Sequence, residues 1–526
     1  MSGEQQIFNT RSRTGNVMMS SSAGTVAYLL SAVMGFVYRT VFIKILSADY
    51  LGINGLFTNV LMLLSMTEMG FGAAITYRFY KPIAENDVRK VGELMNFFKV
   101  IYRTVGSVIF LIGMCLYPFI ECLIKDPGSV PKDVDLHLVY FLFVVQSVIS
   151  YAFIYRASIL RADQKQYASS IAFGIADTLR FATHIVVLWL FKDFTLTVAA
   201  GIAMTLVSNI TISNWAVRQY RPVFAVATGL ASEERRRIVK DAFALMCHRV
   251  GNAVVCGTDT LVLARFVSLA ATGLYSNYIL LFKTLNATFT QVFGGMSASF
   301  GNAYAKLPKE EYHCVFRRMQ FLALGLSGLV SACFYILVDD FIVLWIGEDM
   351  LLPHVTAAAL ATHFYLCASM LNVTANLEAT GLFVRDKIRS LIEAAINLGT
   401  SIPLAILYGV PGVVAGTLIG ILLTSFWRAP YILFRGAMPS SVWTYWRQYA
   451  AHTLFGIGVT VGAELAWRMV YGGMTSWWLW LVKAVLFAIV YLALFALLFG
   501  RSAESRYFIS KFRSVIVARL KGKGSR

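Results

Sequence analysis

VMMSSSAGTVAYLLSAVMGFVYRTVFIKIL, residues 17–46, is almost unbroken apolar sequence with one arginine, Arg39, set well inside it. About 20 consecutive apolar residues in a helix cross the ~30 Å hydrocarbon core of a bilayer, so the stretch is long enough to span. A charged side chain at the centre of such a helix costs roughly 2.5–3.5 kcal/mol on insertion scales. Arg39 therefore requires a partner or a wet cavity, which a helix that merely anchors a protein has no need of. The pattern recurs along the chain. Fourteen spans are read at 17–46, 52–77, 104–124, 137–160, 168–190, 195–217, 242–264, 272–300, 319–338, 355–378, 390–408, 411–434, 448–470 and 478–499. Glu68, Asp177, Arg180, Asp259 and Lys283 also lie inside them.

The composition agrees: 58% of residues are hydrophobic and 14% charged, against about 45–50% and about 25% in soluble domains. The net charge of +18 (46 basic, 28 acidic) is distributed by topology. With the N-terminus inside, seven basic residues fall at 218–249, three at 156–165 and eight in the tail, while 339–354 carries Asp339, Asp340, Glu348 and Asp349 and no lysine or arginine. That is the positive-inside pattern, with both termini cytoplasmic, and it removes nucleic acid as the reason for the basicity. The first apolar run is too long for a signal-peptide core, so no cleavage is expected. Seven cysteines without a CxxC spacing read as inert thiols, and no metal site or cofactor follows from them.

Gly55-Leu56-Phe57-Thr58-Asn59 returns conservatively as Gly273-Leu274-Tyr275-Ser276-Asn277, at the same step of two six-helix sets. Six spans is an even number, so a tandem duplication keeps its orientation, which is one of the recurring transporter plans. The expected fold is an all-α polytopic membrane protein of about 14 transmembrane helices, two parallel six-helix lobes plus an appended helix pair. The expected divisions are a cytoplasmic N-terminus at 1–16, an N-lobe at 17–217, a cytoplasmic linker at 218–241, a C-lobe at 242–434, the appended pair at 448–499 and a basic cytoplasmic tail at 500–526. Val91, Leu94, Met95, Phe98 and Ile101 recur at helical spacing, as do Phe508, Phe512, Val515, Ile516 and Leu520 among basic residues. Both stretches read as helices lying flat on an anionic leaflet.

The blocks Arg39-Thr-Val-Phe-Ile-Lys-Ile-Leu, Tyr50-Leu-Gly-Ile-Asn-Gly-Leu-Phe-Thr-Asn, Thr67-Glu-Met-Gly-Phe-Gly-Ala-Ala and Tyr80-Lys-Pro-Ile-Ala-Glu-Asn-Asp carry a resemblance, as do Phe341-Ile-Val-Leu-Trp-Ile-Gly and Ala379-Thr-Gly-Leu-Phe-Val-Arg-Asp. From about residue 16 to 440 the chain resembles the bacterial polysaccharide-flippase (Wzx-like) transporters, of the superfamily that includes the multidrug exporters and lipid II flippases. The resemblance implies a two-lobed bundle that rocks between inward-open and outward-open states. It also implies a location in the bacterial cytoplasmic membrane and a cargo of lipid-linked oligosaccharide on a polyprenyl pyrophosphate carrier.

A pyrophosphate cannot cross hydrocarbon bare, so cationic side chains must meet it inside the bundle. Arg39 and Lys283, in opposite lobes, are the first candidates, with Arg180 a third. Asp177 and Arg180 are spaced i, i+3 and could neutralise each other. Glu68, Asp177 and Asp259 are candidates for gating or for taking a coupling cation, H+ or Na+. Glu378, Arg385, Asp386 and Glu393 read as a surface salt-bridge cluster, and Glu464 as an i, i+4 partner of Arg468. Three other functions compete, the first a lipid II flippase of the same superfamily. A cation-coupled multidrug exporter should have a cavity richer in acids than bases, whereas Arg39, Arg180 and Lys283 tilt this one positive. An integral membrane glycan-modifying enzyme needs a sizeable loop for its acid, base or nucleophile, and the outer loops here reach about sixteen residues. Polysaccharide assembly proteins are expected partners, alongside membrane lipids.

Overall fold

The computed structural model describes residues 30–65, 78–79, 81–83, 85–163, 166–294, 296–382, 386, 388–470 and 476–511. It is helical over most of that range, with no strand among the described residues. We number the long helices α1 (30–45), α2 (Ala48–Leu64), α3 (Val88–Leu116), α4 (Leu136–Ala162), α5 (Gln166–Phe191), α6 (Phe194–Gln219), α7 (Ser232–Phe266) and α8 (Leu269–Gly294). They continue as α9 (Lys309–Ile346), α10 (His354–Ala379), α11 (Arg389–Tyr408), α12 (Val410–Leu423), α13 (Ser425–Ala437), α14 (Val442–Val470) and α15 (Trp477–Phe499). Among the described residues, nine helical segments are long and apolar enough to cross a membrane. This is a multi-pass membrane protein.

Local chemistry sets the ends. Asp193 accepts from Leu196 N at 2.7 Å and so caps α6, directly after Lys192 turns the chain at φ 53°. Gly409, at φ 65°, makes the tight turn between α11 and α12 that a side chain would resist. The span expected at 411–434 is interrupted at Thr424 and becomes α12 and α13.

The chain divides into two compact units, Met1–Ser276 and Asn277–Arg526, with the division inside α8. Over 218–241, the expected linker, the chain makes a short helix, Arg221–Phe224, and then enters α7. In the first unit the amphipathic stretch 91–101 does not lie on the membrane surface. It is the first half of α3, and Val91, Leu94, Met95 and Phe98 are buried against Tyr151, Tyr155, Ile159 and Tyr220. The stripe was real, but its partner is protein rather than lipid headgroups. The corresponding tail stretch, 508–520, lies mostly outside the described residues.

In the second unit a different glue dominates. Lipid tails are as apolar as leucine, so close packing and interhelical hydrogen bonds must hold helices together. Gly412, Gly416 and Gly420 line one face of α12. A Cβ on Gly412 would lie 1.9 Å from Leu404 O, and one on Gly416 2.3 Å from Ser401 Oγ. Between α9 and α10, Tyr312 donates to Asn376 Oδ1 at 2.6 Å, Asn372 to Gln320 Oε1 at 3.0 Å and Gln320 to Ser369 O at 3.2 Å. The appended helices α14 and α15 pack on α9 through Phe455, Phe487 and Tyr491.

Candidate functional site

In the first unit α1 brings Arg39 to the start of α8, where its guanidinium donates to Ser276 Oγ. Ser276 in turn donates to Gly273 O at 2.6 Å. The neighbouring ring, Tyr38, lies 5.7 Å from Phe181 and 5.0 Å from His184, centroid to centroid. Arg180 and Asp177 share the same helix, α5, and form an ion pair at 2.8 Å with Arg180 over the Phe181 ring at 5.2 Å. The pair is half-exposed and neutral as a unit, which leaves Arg180 with less charge to offer than its sequence position suggests. Asp259 on α7 is buried and accepts from Tyr275 Oη at 3.2 Å. Asn59 of α2 donates to Thr260 Oγ1 of α7 at 3.2 Å. Glu68 lies outside the described residues.

Lys283 differs from all of these. It is exposed on α8 and has no hydrogen-bond or ion-pair partner among the described residues. Ser276, Lys283 and Thr290 are spaced by seven, so they fall on one stripe of α8. Phe282, its neighbour, is buried against Phe364 and Ala368 and fixes the helix's rotation. A lysine so placed in a membrane-length helix needs water or an anion.

The second unit holds charges that sequence reasoning misjudged or missed. Asp386 and Glu393 are not a surface cluster: they are 5% and 8% exposed. Arg389 pairs with Asp386 at 2.5 Å and Glu393 at 2.8 Å, and Arg428 with Asp386 at 3.1 Å, while Ser425 bonds to both Arg389 and Glu393. The network ties α11 to the kink at Thr424. Glu378 is exposed, and Arg385 lies outside the described residues. Glu464 and Arg468 pair at 2.9 Å, as their spacing suggests. Asp340, which the sequence placed in an outer loop, belongs to the last turns of α9 and accepts from Lys483 of α15 at 2.6 Å. Lys483, buried at 6% exposure, also donates to Ile336 O at 3.0 Å and sits 5.0 Å from the Trp467 ring. A lone lysine inside 477–499, facing an acid in another apolar helix, was the available signal.

A cavity of about 300 Å³ opens between α9, α10 and α14, lined by Gly328, Ser331, Tyr365, His452, Thr453 and Gly456 among others. None of the sequence-named residues lines it.

Two units of membrane-length helices, with cations and hydrogen-bonding side chains held inside them, define a polytopic transporter-type membrane protein. A model of the polysaccharide biosynthesis protein family matches residues 18–294, more than half of the chain, and the chain belongs to that family. The matched range contains Arg39, Glu68, Asp177, Arg180, Asp259 and Lys283. The fold is similar to that of a lipid II flippase MurJ in an inward closed conformation, at TM-score 0.67 and 12% identity over 90% of this chain and 98% of that one. An inward-facing multidrug resistance MATE transporter of the MOP superfamily matches at TM-score 0.58 and 14% identity, over 80% and 95%. An outward-facing one matches at TM-score 0.54 and 14% identity, over 86% and 98%. No curated protein matches the sequence.

Proposed function

We propose that the protein is a flippase that carries a lipid-linked oligosaccharide across the bacterial cytoplasmic membrane by alternating access, for surface polysaccharide synthesis. The observation that carries this reading is Lys283: an exposed ammonium without a protein counter-charge among the described residues, on a polar stripe of a membrane-length helix. An anionic cargo supplies what the protein withholds. Arg39, held by Ser276, and Arg180, held by Asp177, are the further cationic contacts. Asp259, with Glu68 and Asp177, is assigned to gating or to a coupling H+ or Na+. Both termini are cytoplasmic, and polysaccharide assembly proteins are the partners.

The family supports the glycan over a small drug, since polysaccharide biosynthesis is its described process. The test is Arg39→Ala combined with Lys283→Ala. Transport should fall by more than about tenfold, the equivalent of one charged hydrogen bond, while the protein inserts normally and lipid-linked glycan accumulates on the inner leaflet. Unchanged surface polysaccharide removes both residues from the mechanism.

A further inference from the structure

Helices α4 and α6 share a polar seam that no part of the reading above uses. Gln146 Nε2 of α4 lies 3.5 Å from Thr205 Oγ1 of α6. One turn along α6, Asn209 has its side-chain nitrogen buried with no hydrogen-bond partner among the described residues. One turn further, Ser213, 1% exposed, accepts from Arg156 Nη1 at 3.1 Å. Arg156 Nε donates to Tyr155 Oη at 3.0 Å. Thr205, Asn209 and Ser213 are spaced by four and lie along one face of α6.

Arg156 forms no ion pair with an acid among the described residues. The nearest acid along the chain, Asp163, lies just past the end of α4 and accepts from Tyr220 Oη at 2.6 Å. A guanidinium has five N–H donors, and two of Arg156's are accounted for by neutral hydroxyls that fix its plane. The others remain to be met. Arg156 lies 20 residues, about 30 Å of helix, beyond the start of α4 at Leu136, so it sits where hydrocarbon gives way to headgroups. Arg156 is part-exposed, so its spare donors can meet an anion from outside, whereas the Asn209 nitrogen is buried in the seam behind it.

We propose that this seam carries a binding site for a phosphorylated lipid headgroup, with the phosphate on the part-exposed Arg156. It rests on the flippase reading and deepens it: the cargo would meet Arg156 at the mouth of the first unit. The same phosphate chemistry is offered by bulk anionic phospholipid, and the experiment separates the two.

Full-length protein, wild type, Arg156→Gln, Arg156→Lys and Asn209→Leu, is titrated with farnesyl pyrophosphate and, separately, with nanodiscs of graded phosphatidylglycerol content. Arg156→Gln should lose about tenfold or more in farnesyl pyrophosphate affinity, and Arg156→Lys should lose less, with the unliganded melting temperature of each near wild type. Asn209→Leu, behind the site, should bind farnesyl pyrophosphate like wild type. Loss of phosphatidylglycerol response alone would make the occupant a bulk lipid and overturn the cargo assignment. Unchanged affinity for both probes overturns the site, while the Arg39 and Lys283 test stands or falls by itself.

Discussion

Removing one partner of the Lys483–Asp340 pair leaves a charge where water barely reaches it. Lys483 is 6% exposed, and its other contacts, Ile336 O and the Trp467 ring, cannot neutralise it. Breaking such a pair costs about 3 kcal/mol or more, whereas replacing both partners with apolar residues is often neutral. Asp340→Leu should therefore lower the melting temperature in detergent, and adding Lys483→Met should recover most of the loss; equal melting of single and double variants would show that the pair contributes nothing. At this scale the sequence revealed charged residues but not their company. Arg180 and Asp177 were legible as a pair because i, i+3 is a local rule. Asp340 and Lys483 are 143 positions apart, and only the packing of α9 on α15 brings them together. Asp386 and Glu393 looked like surface groups because they sit near a helix end, which says nothing of what covers that end.

Helix ends and glycines carry the next level. Ala48 and Leu269 begin α2 and α8, and their backbones meet: a Cβ on Gly52 would lie 2.3 Å from Leu269 O, and one on Gly273 2.0 Å from Ala48 O. Side chains cannot enter that contact without separating the two helix starts. Gly273→Val should therefore expose Leu269, which is fully buried. In a background without native cysteines, Leu269→Cys should react slowly with a maleimide and at least several-fold faster once Gly273→Val is added; equal rates would mean that the starts tolerate the extra bulk. The spans were readable because length and apolarity decide them. The sequence pointed to Gly273 through its likeness to Gly55, yet the two differ in setting: a Cβ on Gly55 would meet only the Thr260 methyl, at 3.7 Å. Periodicity likewise showed that 91–101 has an apolar face, but not whether lipid or Tyr151 and Tyr220 would cover it.

For the molecule as a whole, the appended helices pose the sharpest question, since the sequence reading places them outside its two six-helix sets. Together with the segment that follows α15, they are pinned to α9 near both of its ends. Lys483 holds Asp340 in its last turns, and near its start Arg317 pairs with Glu504 at 2.5 Å while Arg318 stacks 3.8 Å over the Tyr507 ring. Between these ties Phe455, Phe487 and Tyr491 pack on Ala332, Ile336 and Leu337. A helix pair fastened at two levels with an apolar layer between them behaves as one body with α9, because interdigitated side chains shift between discrete packings rather than sliding freely. In the proposed alternating-access cycle the distance between α9 and α15 then stays unchanged. Cysteines at Asp340 and Lys483, bridged by a short bifunctional thiol reagent, should preserve lipid-linked glycan transport within about twofold of the unbridged variant, the bridge replacing the tie the ion pair made. A bridge that arrests transport, reversibly on cleavage, would mean that the appended pair moves against α9 during the cycle.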